Sequence, residues 1–265
     1  VSDIVSLDNY LAAAKQRVQW CKTAPRTTVA AQWFSLFELA GEPGAGTLAG
    51  TSTTAGVVPT DATAGCPVIN AFGASATGRL SKVEFGNTVA CRMAIFDCLF
   101  KAGAFAFNAS QALSAQPSFA SRVPGGDYKG LELWVETVTA ATGNQAVTVT
   151  YTDESGNAGA STGAVGIGSA PTVGRCWQLP LASGDSGVQL VSNVVGSVAT
   201  VGTFNVLVMR PLWSGRVRMA NDGDVHDLLR TGMPQVFTDS ALMVLISADS
   251  TSSGVPELSI EIANG

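Results

Sequence analysis

From Leu131 onward one device recurs along the chain: a short run of alternating apolar and polar residues, closed by Gly, Ser, Asp or Pro, then begun again. The run "LELWVETVTA" (131–140) places Leu131, Leu133, Val135 and Val138 on one side for most of its length. Thr142-Gly143-Asn144 follows, and then "AVTVTYT", which alternates again. Successive strand side chains point to opposite faces, so such runs describe half-buried strands, and two of them about a short Gly-Asn turn predict a hairpin. Further strands are expected at 175–181, 187–195, 203–212, 241–248 and 257–263. Short strands at regular intervals predict a mainly β chain with an antiparallel β-sandwich or jelly-roll-like core. The segment "TVACRMAIFDCLFK" (88–101) fits a strand or a buried helix equally well, because its length does not decide.

The first part of the chain reads differently. With Ser6 as cap, Leu7, Leu11, Ala14 and Val18 recur at helical spacing. A second helix is predicted over "TVAAQWFSLFELA" (28–40), stopped by Gly41 and Pro43. Its Trp33, Phe34, Leu36 and Phe37 lie almost all round that helix, so it must be buried. Residues 41–66 are a low-complexity stretch of Gly, Ala, Thr and Ser, too long for an ordinary turn and suited to an extended arm. The expected organisation is therefore a helical N-terminal arm and extended loop (1–66), followed by a β-sandwich domain (67–265).

Composition limits the chemistry. Only 13% of the 265 residues are charged, about half the usual share, while 46% are hydrophobic and 29 positions are Gly. A surface so poor in charge is covered by small neutral side chains or hidden in an assembly. The net charge of −5 argues against nucleic acid as a partner, since phosphate neutralisation needs clustered Lys and Arg. The densest basic stretch, Arg210 to Arg218, is explained as well by a solvated strand face as by a partner site. No run approaches ~18 apolar residues, so no membrane span is expected. The start "VSDIVSLDNY" lacks a basic head followed by an apolar run, which implies synthesis in the cytoplasm. Five cysteines without close pairs read as buried free thiols, and one histidine is poor material for a metal site. The sequon Asn108-Ala109-Ser110 is expected to be silent in that compartment.

Three motifs invite a sharper reading. "SGDSGV" (183–188) contains the Gly-Asp-Ser-Gly that surrounds the nucleophile of trypsin-like proteases, but there the histidine precedes the serine, and His226 follows Ser186. The stretch also lacks the spacing and the helix of a nucleophile elbow, so a β-turn is expected. In "NDGDVHDLL", Asp222 and Asp224 alternate without a later Glu in register for calcium, and Asp224 is expected to cap a helix stopped by Gly232. Glu132 and Glu136 would share one strand face roughly 13 Å apart, too far for a glycosidase pair, and read as a solvated face. Gly44-Ala45-Gly46 has neither the third glycine nor the Lys-Ser/Thr of a nucleotide cradle. No catalytic, cofactor-binding or metal residue is expected.

Several segments, taken in order, resemble a family of virion structural proteins of tailed bacteriophages. They are "WFSLFELAGEPGAG" (33–46), "VPTDATAG" (58–65), "LELWVE" (131–136), "VTYTDESGNAG" (149–159), "GDSGV" (184–188) and "VLVMRPL" (206–212). In this chain Asp153-Glu154 stands where the family pattern has an amide pair, and Gln189-Leu190 where it has an arginine. The resemblance implies a virion component, made in the host cytoplasm, of the capsid decoration or cement type. It implies a homo-oligomer such as a trimer, seated on the major capsid protein or other virion proteins, with no enzymatic role and no cofactor. Leu7, Leu11, Trp20, Trp33, Phe34 and Phe37 are the expected interface residues. A tail, baseplate or vertex component is the next reading. From another class comes a carbohydrate-binding adhesin, with Trp134, Trp177 and Trp213 available to stack on sugars.

Overall fold

The computed structural model describes residues 3–73, 76–108, 110–197 and 201–265. The chain is mainly β; among the described residues, antiparallel strands form three sheets, with two short α-helices, Leu7–Ala12 and Leu228–Thr231. The central sheet closes on itself. Its ring runs Thr203–Val217, Glu132–Thr139, Arg175–Leu179, Trp33–Ser35, Leu242–Ala248 and Cys91–Ala106, and the last strand pairs back with the first. A seventh strand, Ser52–Val57, lies on the outer edge of Cys91–Ala106.

The alternation of side chains shows which faces point into this barrel. Ala94, Phe96, Cys98, Trp134, Cys176, Leu207, Met209, Met243 and Leu245 come from five ring strands yet form one buried cluster, which only the interior can assemble. Their neighbours in sequence point outward into two other clusters. Cys91, Met93 and Ile95 pack beneath a six-stranded sheet that includes Ala14–Lys22, Gly78–Asn87 and Glu257–Asn264. Phe100, Ala102, Leu133, Val135, Val206 and Val208 pack beneath a five-stranded sheet that includes Asn144–Asp153 and Val188–Gly196. Cys91–Ala106 and Thr203–Val217 have 16 and 15 residues. At ~3.3 Å per residue each spans about 50 Å, long enough to lie under both outer sheets.

That double burial explains the ambiguous segment 88–101: it is a strand with both faces covered, so it reads as a continuous apolar run. The same cause overturns the helix expected over 28–40. Trp33–Ser35 is a barrel strand, with Trp33 packed against the interior cluster and Phe34 in the cluster beneath the six-stranded sheet, and turns surround it. The strands expected at 175–181, 187–195, 203–212, 241–248 and 257–263 are all present.

The expected hairpin is not formed. Glu132–Thr139 belongs to the barrel and Asn144–Asp153 to the five-stranded sheet, and they share no pairing. Leu131, Leu133 and Val135 meet Val147, Val149 and Tyr151 within one core cluster. The two strands therefore face each other across a core instead of lying edge to edge, and each buries its apolar side against the other.

The N-terminal segment is helical only over Leu7–Ala12, where Asn9 N donates to the Ser6 side chain at 3.1 Å. Ala13 turns extended, and Ala14–Lys22 becomes an inner strand between Glu257–Asn264 and Gly41–Glu42. Val18, Trp20 and Lys22 are buried at a period of two, a pattern that sparse apolar spacing did not separate from a helix. Residues 1–66 and 67–265 thus exchange strands. The central residue of the sequon, Ala109, lies outside the described residues.

Charged side chains close one end of the barrel. Lys101 Nζ donates to Thr47 O at 3.1 Å and lies 3.8 Å from the buried Glu136 carboxylate. Asn205 donates to Glu136 Oε2 at 2.9 Å and to Leu48 O, and accepts from Gly50 N at 2.9 Å. Leu48, Phe37 and Cys66 complete the interior cluster, so the loop 41–66 plugs the barrel. Its small residues have a use here: a Cβ on Gly50 would come within 2.6 Å of Gly103 N. Beside the plug, Asp97 accepts from Ser240, Ala241 N and Arg210 at 2.8, 3.0 and 3.1 Å. Fully buried Arg122 donates to Pro59 O at 2.7 Å and Cys98 O at 2.6 Å, and bonds Asp239 O. Glu136 is therefore an internal tether and not part of a solvated face, and the same holds for Arg210. Charges so deep are tolerable because most of their polar atoms are paired, although Arg122 Nε, Glu136 Oε1 and Arg210 Nε have no hydrogen-bond partner among the described residues.

Candidate functional site

The opposite end of the barrel is open. Its rim carries Arg92 on Cys91–Ala106, Arg216 and Arg218 on and just after Thr203–Val217, and Arg230 on the short helix Leu228–Thr231. These side chains, with Trp33, Asp224 and His226, line a cleft of about 770 Å³. A second hollow of about 490 Å³ adjoins it through shared residues Trp33, Ser214 and Arg230 and descends onto Phe96, Trp134 and Gln178. Barrel mouths are a common location for binding sites, because loops converge there over a rigid wall.

Strand register sets the arginines side by side. Arg92 and Arg216 are direct cross-strand partners. Like charges in that position repel, so the pair costs stability unless an anion lies near. Arg216 has Asp249 at 3.5 Å and Arg230 has Asp224 at 3.1 Å, all of them about half exposed. Arg92 and Arg218 are exposed and have no carboxylate partner among the described residues. The aromatic floor is packed in T-shaped pairs: Trp134 lies 6.4 Å from Trp33 and 5.5 Å from Phe96, and its Nε1 donates to Glu132 at 2.7 Å.

His226 ends the strand Asp222–His226, which pairs with Gly78–Asn87. Its Nδ1 accepts from Trp213 Nε1 at 2.9 Å, so the imidazole proton sits on Nε2, 3.5 Å from Asp224. Burial and then the Arg230 charge push its pKa below the usual histidine range, against the pull of Asp224. Backbone donation from Val225 and the Arg230 guanidinium hold Asp224 below the usual carboxylate range. The helix cap predicted at Asp224 belongs to Asp227, whose side chain accepts from Leu229 N and Arg230 N. Asp224 is in the strand because pairing runs through His226, and Gly232 stops the helix in a left-handed conformation as expected.

The Gly-Asp-Ser-Gly segment is a turn far from this mouth in the topology. It precedes Val188–Gly196 in the five-stranded sheet, whereas His226 lies in the six-stranded one. Glu154 accepts from Ser186 N at 3.0 Å and Gly187 N at 3.1 Å, and Tyr151 donates to Asp185 at 2.7 Å. Glu154 thus clamps the turn, while Asp153 accepts from Ser155 N and Asn157 N and fixes the turn that follows its own strand. Burial and the Asp185 contact push Tyr151 up to about 12.

Of the expected interface residues, Leu7 and Leu11 are exposed and Trp33 is half-buried at the mouth, while Trp20, Phe34 and Phe37 are buried in this chain's own cores. Of the tryptophans considered for sugar stacking, Trp134 and Trp213 are buried, and Trp177 lies under the Arg175 guanidinium at 4.2 Å. The exposed thiol is Cys21, and burial pushes Cys66 and Cys98 up to about 12. Sequence reasoning missed the rim: Arg92 and Arg230 lie 138 positions apart, and only the fold brings them to one cleft.

No family model and no curated protein matches the sequence. Among solved structures, the infectious bursal disease virus Gx strain aligns at 8% identity over 94% of this chain and 80% of that chain, with a TM-score of 0.17. A VP2 subviral particle of infectious bursal disease virus aligns at 7% identity over 95% and 80%, with a TM-score of 0.19. T=1 particles derived from infectious bursal virus align at 7% identity over 95% and 77%, at 0.18. Alignments with TM-scores this low establish no common fold. Among the described residues no helix is long and apolar enough to cross a membrane.

Proposed function

We infer that the chain is a non-enzymatic structural component of a tailed-bacteriophage virion, a decoration or cement protein that assembles as a homo-oligomer on the capsid. The ordered segments from Trp33 to Leu212 supply the phage context. The structural observation that supports it is where the scarce charges are. Lys22, Asp97, Lys101, Arg122, Glu136 and Arg210 are buried as internal tethers, which leaves a surface even poorer in charge than the composition suggests. Large apolar side chains stand out on that surface, with Leu7 63%, Leu11 66% and Leu229 82% exposed. The helix Leu7–Ala12 buries none of its residues within the chain. Single exposed leucines are ordinary, but while Tyr10 bonds this chain's own Glu261, the Leu7 and Leu11 side of the helix is uncovered and suits contact with a neighbouring subunit.

Quantitative mass spectrometry of purified virions tests this reading. A copy number in the hundreds relative to the major capsid protein is expected of a lattice-bound cement protein. A count of about 3 to 12 moves the chain to a tail, baseplate or vertex, where symmetry is low, and the cement reading fails.

A further inference from the structure

We propose that the barrel mouth is a docking site for an acidic polypeptide segment of a partner protein, whose carboxylates are bound by Arg92, Arg216, Arg218 and Arg230. The inference rests on the mouth and does not depend on the virion reading.

Three observations carry it. The first is charge without compensation: on a chain of net charge −5, four guanidinium groups converge on one cleft, two of them without a carboxylate partner among the described residues. The second is the direct cross-strand pairing of Arg92 with Arg216. A sheet does not gain from that pair on its own, and an anion between the two turns repulsion into attraction. The third is the nature of the floor. Phe96 and Trp134 are buried and packed edge to face, so neither offers a free ring face to a base or a sugar. A carboxylate needs no such face: the planar guanidinium fork matches it directly, as Arg216 with Asp249 and Arg230 with Asp224 already show at the rim. The half-buried Trp33 and the adjoining hollow give an apolar side chain between the carboxylates a place to lie.

Isothermal titration calorimetry on the full chain tests the site. The probe is an N-acetylated, C-amidated peptide of four glutamates around a central leucine, with the same peptide carrying glutamines as its control. Saturable binding of the glutamate peptide alone is expected. The Arg92→Gln/Arg218→Gln variant should weaken it by about tenfold per guanidinium lost, roughly a hundredfold in all. Arg17→Gln, on the six-stranded sheet away from the mouth, should leave it unchanged. Arg218→Gln alone serves if the double variant does not fold. Absence of saturable binding overturns the proposal, as does binding that ignores the double variant. Tighter binding of a sulfated oligosaccharide or a single-stranded oligonucleotide than of the peptide also overturns it, in favour of those polyanions.

Discussion

The two ends of the barrel are built from the same strands and treat charge in opposite ways. At the plugged end, Asp97, Arg122, Lys101 and Glu136 are out of solvent and engaged with backbone carbonyls, amides or one another. At the mouth, Arg92 and Arg218 are in solvent and engage no carboxylate among the described residues. A chain with 13% charged residues places some of them where they hold the segment 41–66 in place, and others where they are free to meet something else. Charge that is satisfied internally is structural. Charge that is left unsatisfied, beside a like charge, is available for binding.

The largest effect should come from breaking the plugged end. Arg122→Met removes the donors to Pro59, Asp239 and Cys98 and a buried positive charge 3.7 Å from Asp97. Loss of one partner from a buried ionic network costs ~3–5 kcal/mol, so the urea midpoint should fall markedly with the slope unchanged. A midpoint shift below the equivalent of ~1 kcal/mol would show that the network does not hold the plug.

A smaller effect separates pairing from burial. Lys101→Met leaves Glu136 buried with Asn205 as its remaining partner, whereas Lys101→Met with Glu136→Leu removes both charges. Replacing a buried pair by apolar residues is often close to neutral, so the double variant should be more stable than the single one. A double variant less stable than Lys101→Met alone would mean that Glu136 contributes through Asn205 and the loop, independently of Lys101.

The smallest effect lies at the mouth and depends on pH. His226 has a depressed folded-state pKa, so the unfolded chain takes up its proton first as pH falls below about 6.5. Stability from this group is present above that pH and is lost as pH drops toward the folded value. His226→Asn keeps an acceptor for Trp213 Nε1, and should decline less in melting temperature between pH 7 and 5 than the parent chain. Carboxylates that titrate in the same window are common to both proteins and cancel in the difference. Parallel declines would mean that the imidazole is not held neutral by its surroundings.

How far the sequence revealed this molecule follows the same division. Strands with one face covered were legible: Val147, Val149 and Tyr151 alternate cleanly because their other side is not core. Most barrel strands were legible too, but Cys91–Ala106 and Trp33–Ser35 were not, because they are covered inside and out, which erases the period of two and let 28–40 pass for a buried helix. The turn at 142–144 was visible, but a local signal cannot tell a hairpin from two strands facing across a core. The rim arginines lay in the sequence as unrelated residues. Arg210, Arg216 and Arg218 looked like one basic face, yet a bulge between Pro211 and Trp213 separates the first, which is buried on Asp97, from the two at the mouth. Buried Glu136 was misread as solvated for the complementary reason: nothing local indicates that a barrel will close over it.

The contrast between the ends can be tested in one experiment, the thermal unfolding of Asp97→Asn and Arg92→Gln under identical conditions. Asp97→Asn should lower the melting temperature by at least about 5 °C, because it leaves Arg122 and Arg210 buried without their carboxylate. Arg92→Gln should leave it unchanged or raise it slightly, by relieving a like-charge pair worth ~0.2–1 kcal/mol. Equal losses from the two substitutions would contradict the account, because the mouth arginine would then be as structural as the charges that seal the plug.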